Sequence, residues 1–393
     1  MRIFVLLSRI PYPLEKGDKL RAYHQIKILA EQHEIILCAL NPVSKTNKQK
    51  AFAQLQPYCR SINFIDLPAG TRVVNILKAF VTGLPIQSGY FYSRKAHKKI
   101  NALIKEYQPD LLFAQLSRTA RYLMELPHKK ILDYQDAFSY GLKRRAAKAK
   151  GPAKWLFRME HRRMEIFEKE IFDRFDHKII ISEQDRDFIP HPSKEKIRVI
   201  RNGVDMDYFI PLWRKKKQEI VFTGNMNYPP NVDAAQYLVK EIMPLVWQQK
   251  PKTRLLLAGA NPHPKVKGLQ NSRIRVSGWM EDIREAYASS SVFIAPMRMG
   301  TGLQNKLLEA MAMKIPSITT PLANAALKAR PGEQILTGNN ARELADALLL
   351  LLENKTRREQ LAENAFAFVR QNYHWHNATA PLLKIIENTD LTQ

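Results

Sequence analysis

The sequence predicts an α/β protein made of two doubly wound, Rossmann-like domains that face each other across a cleft. The chain has 393 residues, more than a single hydrophobic core usually serves. Short apolar runs alternate with segments of helical periodicity almost from end to end, and the alternation pauses once, near residues 200–220. Hydrophobic residues make up 45% of the chain and charged residues 25%, a composition that excludes a disordered protein.

The first half of the chain contains short runs rich in aliphatic and β-branched residues, which predict strands. These runs are residues 3–7, 35–40, 62–67, 110–114, 130–134, 178–182 and 197–200. Helical segments lie between them, for example residues 19–32, where Leu20, Tyr23 and Ile26 fall on one face. Strand, helix and strand in succession predict a parallel sheet with helices on both sides.

The second half repeats this pattern after a break. Its predicted strands are residues 219–223, 254–258, 273–276, 291–295, 317–319 and 334–336. The turn signal Asn202-Gly203, Pro211 and a basic run ending at Lys217 predict a linker over residues 202–217. We therefore expect one domain at residues 1–201 and another at 218–372. A helix in residues 373–393 is expected to pack back on the first domain.

The abnormal feature of the composition is its charge. Lys and Arg number 62 against 37 Asp and Glu, and residues 1–200 hold 37 of these basic and 20 of these acidic side chains. This excess favours a polyanionic partner, which could be nucleic acid, an anionic membrane or a phosphate-bearing substrate. Cys38 and Cys59 form no CxxC pair, which excludes a disulfide scaffold and a structural zinc site and favours the cytoplasm. No run approaches the ~20 apolar residues of a membrane span.

The segment 296–316 carries the strongest indication of a binding site. It runs from a predicted strand through a loop containing Gly300 and Gly302 into a helix, an arrangement that binds phosphate in α/β folds. Arg298 and Lys306 add positive charge there, and Glu309 lies on the otherwise apolar face of the helix, where ribose hydroxyls would be suitable partners. The alternative is a structural glutamate beside a packing loop.

Other strand ends add candidates to the same sheet edges. Gly224 and Gly259 each follow a predicted strand of the second domain, where glycine leaves room for a ligand or simply makes a turn. In the first domain, Gly17 and Asp18 end a long loop after the first strand, which is either part of a site or an ordinary connection.

Several longer stretches, spread over nearly the whole chain, carry a resemblance to a known family. They are SRIPYPLEKGDKLRAYHQIKILAEQHEI (8–35), IRNGVDMDYF (200–209), FTGNMNYPPNVDAAQYLVKEIMPLVWQQKP (222–251), LLLAGANP (255–262) and GTGLQNKLLEAMAMKIPSITTP (300–321). Together they resemble the retaining glycosyltransferases of family 4, which have the GT-B fold. Within that family the runs PPNVDA and NKLLEAMAM resemble bacterial sugar transferases of exopolysaccharide and PEP-CTERM protein-sorting systems.

The resemblance implies roles for the residues of the second domain. Glu309 would hold the ribose of a nucleotide donor, and Arg298 and Lys306 would neutralise its diphosphate during catalysis. Phosphate and sugar would bind the loop residues Gly300, Thr301, Gly302, Leu303, Gln304 and Asn305. Two departures stand out: Thr301 replaces a glutamate usual in the family, and Asn225 and Asn227 stand where the family has an Arg and Lys pair.

Further roles follow from the same resemblance. Trp279 would lie against the nucleotide base, with packing in the domain core as the alternative. Gly17 would contact the sugar or phosphate. Asp136 stands where many relatives have a catalytic-site histidine; Asp133 is an alternative for that role, and a helix N-cap is an alternative role for Asp136.

The function implied is hexosyl transfer, with retention, from a nucleotide-diphosphate sugar to an acceptor hydroxyl on a glycan or lipid-linked oligosaccharide. No cofactor, metal or nucleic acid is expected. The alternatives are a nucleotide-sugar 2-epimerase of the same fold and a non-catalytic polyanion-binding protein.

One basic segment bears on location. Lys150, Lys154, Arg158 and Arg162 recur at helical spacing beside Trp155. This stripe favours peripheral attachment to the anionic inner face of the cytoplasmic membrane. The alternative is a solvated helix face paired with Glu160, Glu165 and Glu168, and Gly151-Pro152 is expected to break the helix.

Overall fold

The computed structural model describes residues 1–14, 16–42, 47–212, 214, 218–299 and 302–390. The chain forms two compact units. Unit 1 comprises Met1–Arg201 with Thr379–Gln393, and unit 2 comprises Asn202–Ala378. Each unit is an α/β domain around one parallel sheet, so the predicted fold class is confirmed.

Unit 1 contains a seven-stranded sheet in the order β3-β2-β1-β4-β5-β6-β7, with every neighbouring pair parallel. Its strands are β1 (Arg2–Leu7), β2 (Glu34–Asn41), β3 (Ser61–Asp66), β4 (Leu111–Gln115), β5 (Lys129–Asp133), β6 (His177–Ile180) and β7 (Arg198–Val199). Its helices are α1 (Gly17–Leu29), α2 (Lys48–Leu55), α3 (Ala69–Thr82), α4 (Ile86–Phe91), α5 (Arg94–Tyr107), α6 (Ser117–Ala120), α7 (Phe138–Lys148), α8 (Gly151–Arg174) and α9 (Glu183–Phe188).

The two faces of this sheet are covered by different parts of the chain. Ile3 and Val5 of β1 pack into one hydrophobic cluster, while Phe4 and Leu6 point to the other face and pack into a second. All four are at most 2% exposed. Burial on both faces is why these strands appear in the sequence as continuous apolar runs.

Unit 2 contains a six-stranded parallel sheet in the order β10-β9-β8-β11-β12-β13. Its strands are β8 (Gln218–Thr223), β9 (Leu255–Ala258), β10 (Ile274–Gly278), β11 (Ser290–Ala295), β12 (Ser317–Thr319) and β13 (Leu336–Thr337). Its helices are α10 (Pro229–Tyr237), α11 (Met243–Gln249), α12 (Pro264–Lys267), α13 (Arg284–Ala288), α14 (Asn305–Ala312), α15 (Pro321–Leu327), α16 (Ala341–Glu353) and α17 (Lys355–Tyr373).

The last helix, α18 (Trp375–Asp390), begins in unit 2 and has most of its length in unit 1. Leu382 and Ile386 are fully buried in the unit 1 cluster that contains Ile3. The Thr389 hydroxyl lies 3.0 Å from Nε2 of His177 at the start of β6. Residues late in the chain therefore complete the core that the first strand begins.

The predicted interruption of the basic segment is confirmed. Gly151 adopts a φ of 58°, in the left-handed region, and Pro152 occupies the first turn of α8, so α7 and α8 are separate helices. Within the described residues, no helix is both long enough and apolar enough to cross a membrane.

Candidate functional site

The candidate residues of unit 2 lie where the order of strands reverses. From β8 the chain moves outward through β9 and β10, then returns to place β11 on the other side of β8. In doubly wound sheets the loops on the two sides of such a reversal diverge and leave a crevice at the carboxyl edge, where ligands bind. Gly224 follows β8, and the segment from Pro296 to Gln304 follows β11.

Gly224 and Gly259 meet backbone to backbone at this edge. Their φ angles are 152° and 143°. A Cβ on Gly259 would lie 1.8 Å from the carbonyl oxygen of Gly224, and a Cβ on Gly224 would lie 2.7 Å from Nδ2 of Asn231 and 3.2 Å from Nζ of Lys306. Only glycine fits at either position, and the main chain of Gly224 thereby comes close to the lysine ammonium group.

Lys306 sits in the first turn of α14 and is half-buried. Its Nζ donates to Oδ1 of Asn231 in α10 and lies 4.8 Å from the centre of the Phe222 ring. Burial lowers the pKa of Lys306 to about 7, and the neighbouring Glu309 carboxylate opposes this shift. An anion bound beside Lys306 would stabilise the charged ammonium form.

Glu309 lies one turn further along α14 and is also half-buried. Its Oε2 accepts a hydrogen bond of 2.7 Å from the Tyr287 hydroxyl, which lies 2.7 Å from Oγ1 of Thr223. Burial raises the pKa of Glu309, while the bond from Tyr287 and the charge of Lys306 oppose that rise. Tyr287 fixes one carboxylate oxygen, which leaves Oε1 without a hydrogen-bond partner among the described residues.

Arg298 has its charge compensated within unit 2. It forms a two-pronged contact with Asp233, at 2.8 Å from Nη2 and 3.1 Å from Nε, and lies 3.5 Å from Glu241. Its guanidinium also stacks 4.1 Å from the Tyr237 ring centre. The hydrogen bonds to Asp233 raise the pKa of Arg298. In this structure the side chain fastens the β11 loop to α10, so its role with diphosphate stays a prediction.

The other predicted donor residues have varied positions. Gly300 and Thr301 lie outside the described residues. Gly302 accepts a 2.9 Å hydrogen bond from Gln304, the N-cap residue of α14, whose first residue is Asn305. Leu303 packs against the unit 2 core.

Trp279 follows β10 directly and is 69% exposed. The alternative that it packs in the domain core is therefore wrong. An indole left this far in solvent is available to stack on a planar ligand.

Unit 1 has a corresponding reversal of strand order between β1 and β4. Just beyond β4 and β5, Leu116 and Gln135 have φ angles of 69° and 62°, in the left-handed region that costs a non-glycine residue energy. Such backbone positions concentrate at functional sites. This edge of unit 1 is therefore a second candidate for a functional site.

Asp133 has a structural partner at this edge. Its Oδ2 accepts a 2.6 Å hydrogen bond from Nε of Arg21, and neither side chain is exposed. Arg21 also donates to the carbonyl of Ile200 at 2.9 Å. The predicted alternative catalytic role for Asp133 has no support in this geometry, because the carboxylate is enclosed in an ion pair.

Asp136 differs from Asp133 in being exposed. Desolvation by the surrounding protein and the nearby Asp185 nonetheless raise its pKa to about 7, against the opposing charge of Arg118. The N-cap alternative is wrong, because α7 begins at Phe138 after Ala137 and has no side-chain cap. Gly17 begins α1, and the next residue, Asp18, pairs with Arg9 at 2.8 Å.

A group of buried polar side chains, which the sequence did not reveal, lies at the same edge. Ser8 follows β1, Ser117 and Arg118 follow β4, and Gln135 follows β5. Each is at most 7% exposed, and Ser8 Oγ, Ser117 Oγ, Arg118 Nε and Gln135 Nε2 have no hydrogen-bond partner among the described residues. Buried polar atoms are normally paired, so these four are candidates to contact a ligand. Polar residues directly after buried strands were the available signal.

Arg118 is the charged member of this group. Its guanidinium lies 4.7 Å from the Phe91 ring centre and 5.0 Å from that of Phe138. Burial and the charge of Arg9 lower the pKa of Arg118 to about 10, so it remains a cation at neutral pH. Within the described ranges, no group of three or more His, Cys, Asp or Glu residues could hold a metal ion.

The sequence is similar to those of several known proteins. Residues 217–354 match the family model described as glycosyl transferases group 1. The chain is 21% identical over 95% of its length, and 96% of the other protein, to an uncharacterized 44.6 kDa protein in the cps region of Klebsiella pneumoniae. It is 27% identical to a phosphatidyl-myo-inositol mannosyltransferase of Mycobacterium tuberculosis, over 48% of this chain and 53% of that protein.

Solved structures show the same fold. A sucrose-phosphate synthase from Thermosynechococcus elongatus matches with a TM-score of 0.70 at 16% identity, over 100% of both chains. Anabaena HepE in complex with UDP matches with a TM-score of 0.68 at 14% identity, over 99% of this chain and 100% of that one. Both units thus have the Rossmann-like architecture of GT-B structures. Residues 217–354 carry the match to the glycosyl transferases group 1 model, and the chain is a glycosyltransferase.

Proposed function

We propose that unit 2 binds a nucleotide-diphosphate sugar and that the protein transfers its hexosyl group to an acceptor hydroxyl. The observation that carries this proposal is the pairing of Lys306 and Glu309 on α14 beside the glycine-only strand ends Gly224 and Gly259. A cation and an open carboxylate oxygen, one helical turn apart, suit a diphosphate and a ribose respectively. The UDP complex of Anabaena HepE is consistent with this donor class.

The main task of the protein in this reaction is to stabilise the negative charge that develops on the diphosphate. The bond from the sugar C1 to the β-phosphate oxygen breaks, the acceptor oxygen bonds to C1, and the acceptor hydroxyl loses its proton. Negative charge grows on the diphosphate, and the Lys306 ammonium would oppose it in a partly desolvated position. Retention at C1 follows from the resemblance to family 4, and no metal is required in this scheme.

Unit 1 would contribute the acceptor side. Asp136 is exposed, and desolvation and the nearby Asp185 raise the pKa of its carboxyl, so the carboxylate could take up the acceptor proton. The buried polar atoms of Ser8, Ser117 and Gln135 would bond to acceptor hydroxyls. The relative from a Klebsiella cps region supports a surface polysaccharide or its lipid-linked precursor as the acceptor class.

The test of donor binding is calorimetry with UDP on the folded protein. Glu309→Gln should weaken affinity, because a carboxylate hydrogen-bonded to ribose contributes ~1.5–3 kcal/mol, roughly a 10- to 150-fold change. Glu281→Gln, at an exposed position of the same unit, is the matched control and should leave affinity unchanged. Equal affinity in both variants would remove Glu309 from the site.

A second measurement separates transfer from the other functions of this fold. Incubation with a panel of nucleotide sugars and lipid-linked glycans should release nucleoside diphosphate and lengthen an acceptor. Asp136→Asn should reduce that transfer while leaving the affinity for UDP intact. Epimerised donor without transfer would instead identify a 2-epimerase, and binding without turnover would identify a non-catalytic protein.

A further inference from the structure

Helix α3 of unit 1 presents an unusually apolar surface to solvent. Its exposed side chains include Val73 at 59%, Leu77 at 63% and Val81 at 86%, spaced four residues apart on one stripe. Val74 at 48% and Phe80 at 44% flank that stripe. Single exposed apolar residues are common, but five large ones on one helix face are a mark of an interaction surface.

The opposite face of α3 is fixed to the rest of unit 1. Ala79 packs against Gly89 of α4 so closely that a Cβ on Gly89 would lie 2.4 Å from the Ala79 methyl carbon. Asn75 donates to the carbonyl of Tyr92, and Arg72 donates to the Tyr90 hydroxyl. Because these contacts determine which face is inward, α3 cannot turn its apolar stripe into the domain without losing them.

Helix α8 forms hydrogen bonds with the C-terminal end of α3 and with the N-terminal end of α4. Arg163 donates to the carbonyls of Ala79 and Phe80 in the last turns of α3, at 3.2 and 2.9 Å. Glu160 accepts from the amides of Ile86 and Gln87 at the start of α4, at 2.9 and 3.2 Å. Each charge has the sign that the helix end favours. These bonds attach α3 and α4 to α8 and so fix the direction in which the apolar stripe faces.

The same helix extends the apolar surface. Trp155 in the first turns of α8 is 61% exposed, and its ring centre lies 6.5 Å from that of Phe80. Leu156 is 38% exposed. We call the exposed apolar side chains of both helices the α3–α8 patch: Val73, Val74, Leu77, Phe80, Val81, Trp155 and Leu156.

The surroundings of the α3–α8 patch are basic. Residues 67–105 and residues 137–159 contain no Asp or Glu, and each segment contains seven Lys or Arg residues. Lys78 is exposed beside the apolar stripe on α3, and Arg158 is exposed one turn after Trp155. The three glutamates near the basic stripe have other partners: Glu160 bonds to α4, Glu165 contacts His161 and Glu168 bonds to Ser139.

We propose that the α3–α8 patch docks this protein on an anionic lipid bilayer. Aliphatic side chains would enter the boundary between headgroups and acyl chains, Trp155 would lie at the interface, and the basic side chains would contact lipid phosphates. A symmetric contact with a second copy would bring two strongly basic surfaces together, which like-charge repulsion opposes. Nucleic acid would leave the aliphatic stripe without a partner. The sequence predicted the basic half of this surface, and α3 supplies the apolar half.

The test is cosedimentation of the full chain with vesicles of phosphatidylglycerol and phosphatidylcholine, against vesicles of phosphatidylcholine alone. We expect binding to the anionic vesicles that weakens at high salt. Leu77→Glu with Val81→Glu should reduce it more than about tenfold, since both apolar burial and charge attraction are lost. Leu350→Glu, at an exposed leucine of unit 2 that is 44% accessible, is the matched control and should bind normally.

A second variant keeps the test decisive if the double substitution disturbs folding. Lys78→Glu with Arg158→Glu replaces two exposed side chains, and should weaken binding by at least about tenfold because each basic residue near an anionic surface contributes roughly a factor of five. Lys252→Glu, an exposed lysine of unit 2, is its control. Vesicle binding unchanged in both patch variants would overturn the proposal. A concentration-dependent dimer abolished by the leucine variant would overturn it too, in favour of self-association.

Discussion

The carboxyl edges of the two sheets share a topology and differ in what occupies them. In unit 2 the strands end in Gly224 and Gly259, whose main chains touch, and the charged side chains Lys306 and Glu309 beside them come from one helix, α14. In unit 1 the strands end in side-chain-bearing residues such as Leu116 and Gln135, held in left-handed conformations. One edge exposes backbone, and the other is filled by side chains.

This difference teaches how the same fold can serve two kinds of ligand. A phosphate group is recognised well by main-chain N–H groups, which requires the absence of side chains. A sugar hydroxyl needs individually placed donors and acceptors, which side chains such as Ser117 and Arg118 can supply. The proposed division into donor and acceptor sides follows from this contrast.

The largest expected effect is on the buried ion pair of unit 1. Asp133→Ala should lower the free energy of unfolding by about 3–5 kcal/mol, because the Arg21 guanidinium would lose its carboxylate where neither side chain is exposed. Asp66→Ala is the matched control, since Asp66 makes an equally short 2.6 Å contact with Lys48 in a largely exposed position. That change should cost less than about 1 kcal/mol in urea unfolding. Similar losses in the two variants would contradict the structural role of Asp133.

The second prediction alters the backbone contact of unit 2. Gly259→Ala should cost about 3 kcal/mol of stability and reduce affinity for UDP more than tenfold, because the new methyl would overlap the Gly224 carbonyl and push the main chain away from Lys306. Gly268→Ala should have little effect on either measurement, as its Cβ would meet the nearest atom at 3.4 Å. Calorimetry and thermal unfolding check both, and normal UDP affinity in the folded Gly259 variant would argue against backbone recognition.

The third prediction concerns a buried carboxyl that supports the unit 1 edge. Glu168 bonds to both the amide and the hydroxyl of Ser139, and burial raises the pKa of Glu168 from 4.5 to about 8. The folded protein therefore holds a proton that the unfolded chain releases above pH 4.5, so this contribution to stability falls as pH rises towards 8. The slope approaches ~1.4 kcal/mol per pH unit. Between pH 6 and 8 the loss should be roughly 2 kcal/mol.

Glu168→Gln should flatten that slope, since the amide does not titrate. Glu165→Gln on the same helix, where Glu165 contacts His161 at 3.5 Å, should preserve it. Urea unfolding at several pH values measures the difference. An unchanged slope in the Glu168 variant would show that the carboxyl is ionised in the folded protein.

The smallest expected effect is the pH dependence of donor binding in unit 2. With the pKa of Lys306 near 7, the empty site loses its charge as pH rises, whereas a bound diphosphate would raise that pKa and retain the proton. Affinity for UDP should therefore fall roughly tenfold between pH 7 and 8.5. Lys306→Met should bind more weakly and show little pH dependence. Affinity that rises with pH in the unaltered protein would contradict the assignment.

Most strands were predictable because a strand that is buried on both faces consists of consecutive apolar residues. Each predicted run overlaps an observed strand, although the run 334–336 shares only Leu336 with the short, partly buried strand Leu336–Thr337. The glycines after β8 and β9 were also predictable, because a glycine that directly follows an apolar run can be recognised in a single sequence. Their contact with each other was not, because it depends on three-dimensional packing.

Side-chain pairs distant in sequence escaped prediction for a physical reason. Arg21 and Asp133 pair across 112 positions, and the Tyr287 bond to Glu309 joins two different helices. Local sequence patterns do not reveal contacts between residues that lie so far apart in the chain. The outward face of α3 was missed for the opposite reason: its apolar residues predict burial, and only the packing of Ala79 on Gly89 shows which side faces solvent.

The C-terminal helix has a consequence for the order in which the protein can fold. Leu382 and Ile386 are fully buried in the same cluster as Ile3, Val5 and Leu7, yet they follow all of unit 2 in the chain. A ribosome releases the chain from the N-terminus at about 5–20 residues per second. During that interval the part of this cluster that Leu382 and Ile386 cover has no partner, although α1 and α2 already pack on the same face, and the last piece of the core arrives only when synthesis of unit 2 is finished. Unit 2 can thus be complete before unit 1, although unit 1 is made first.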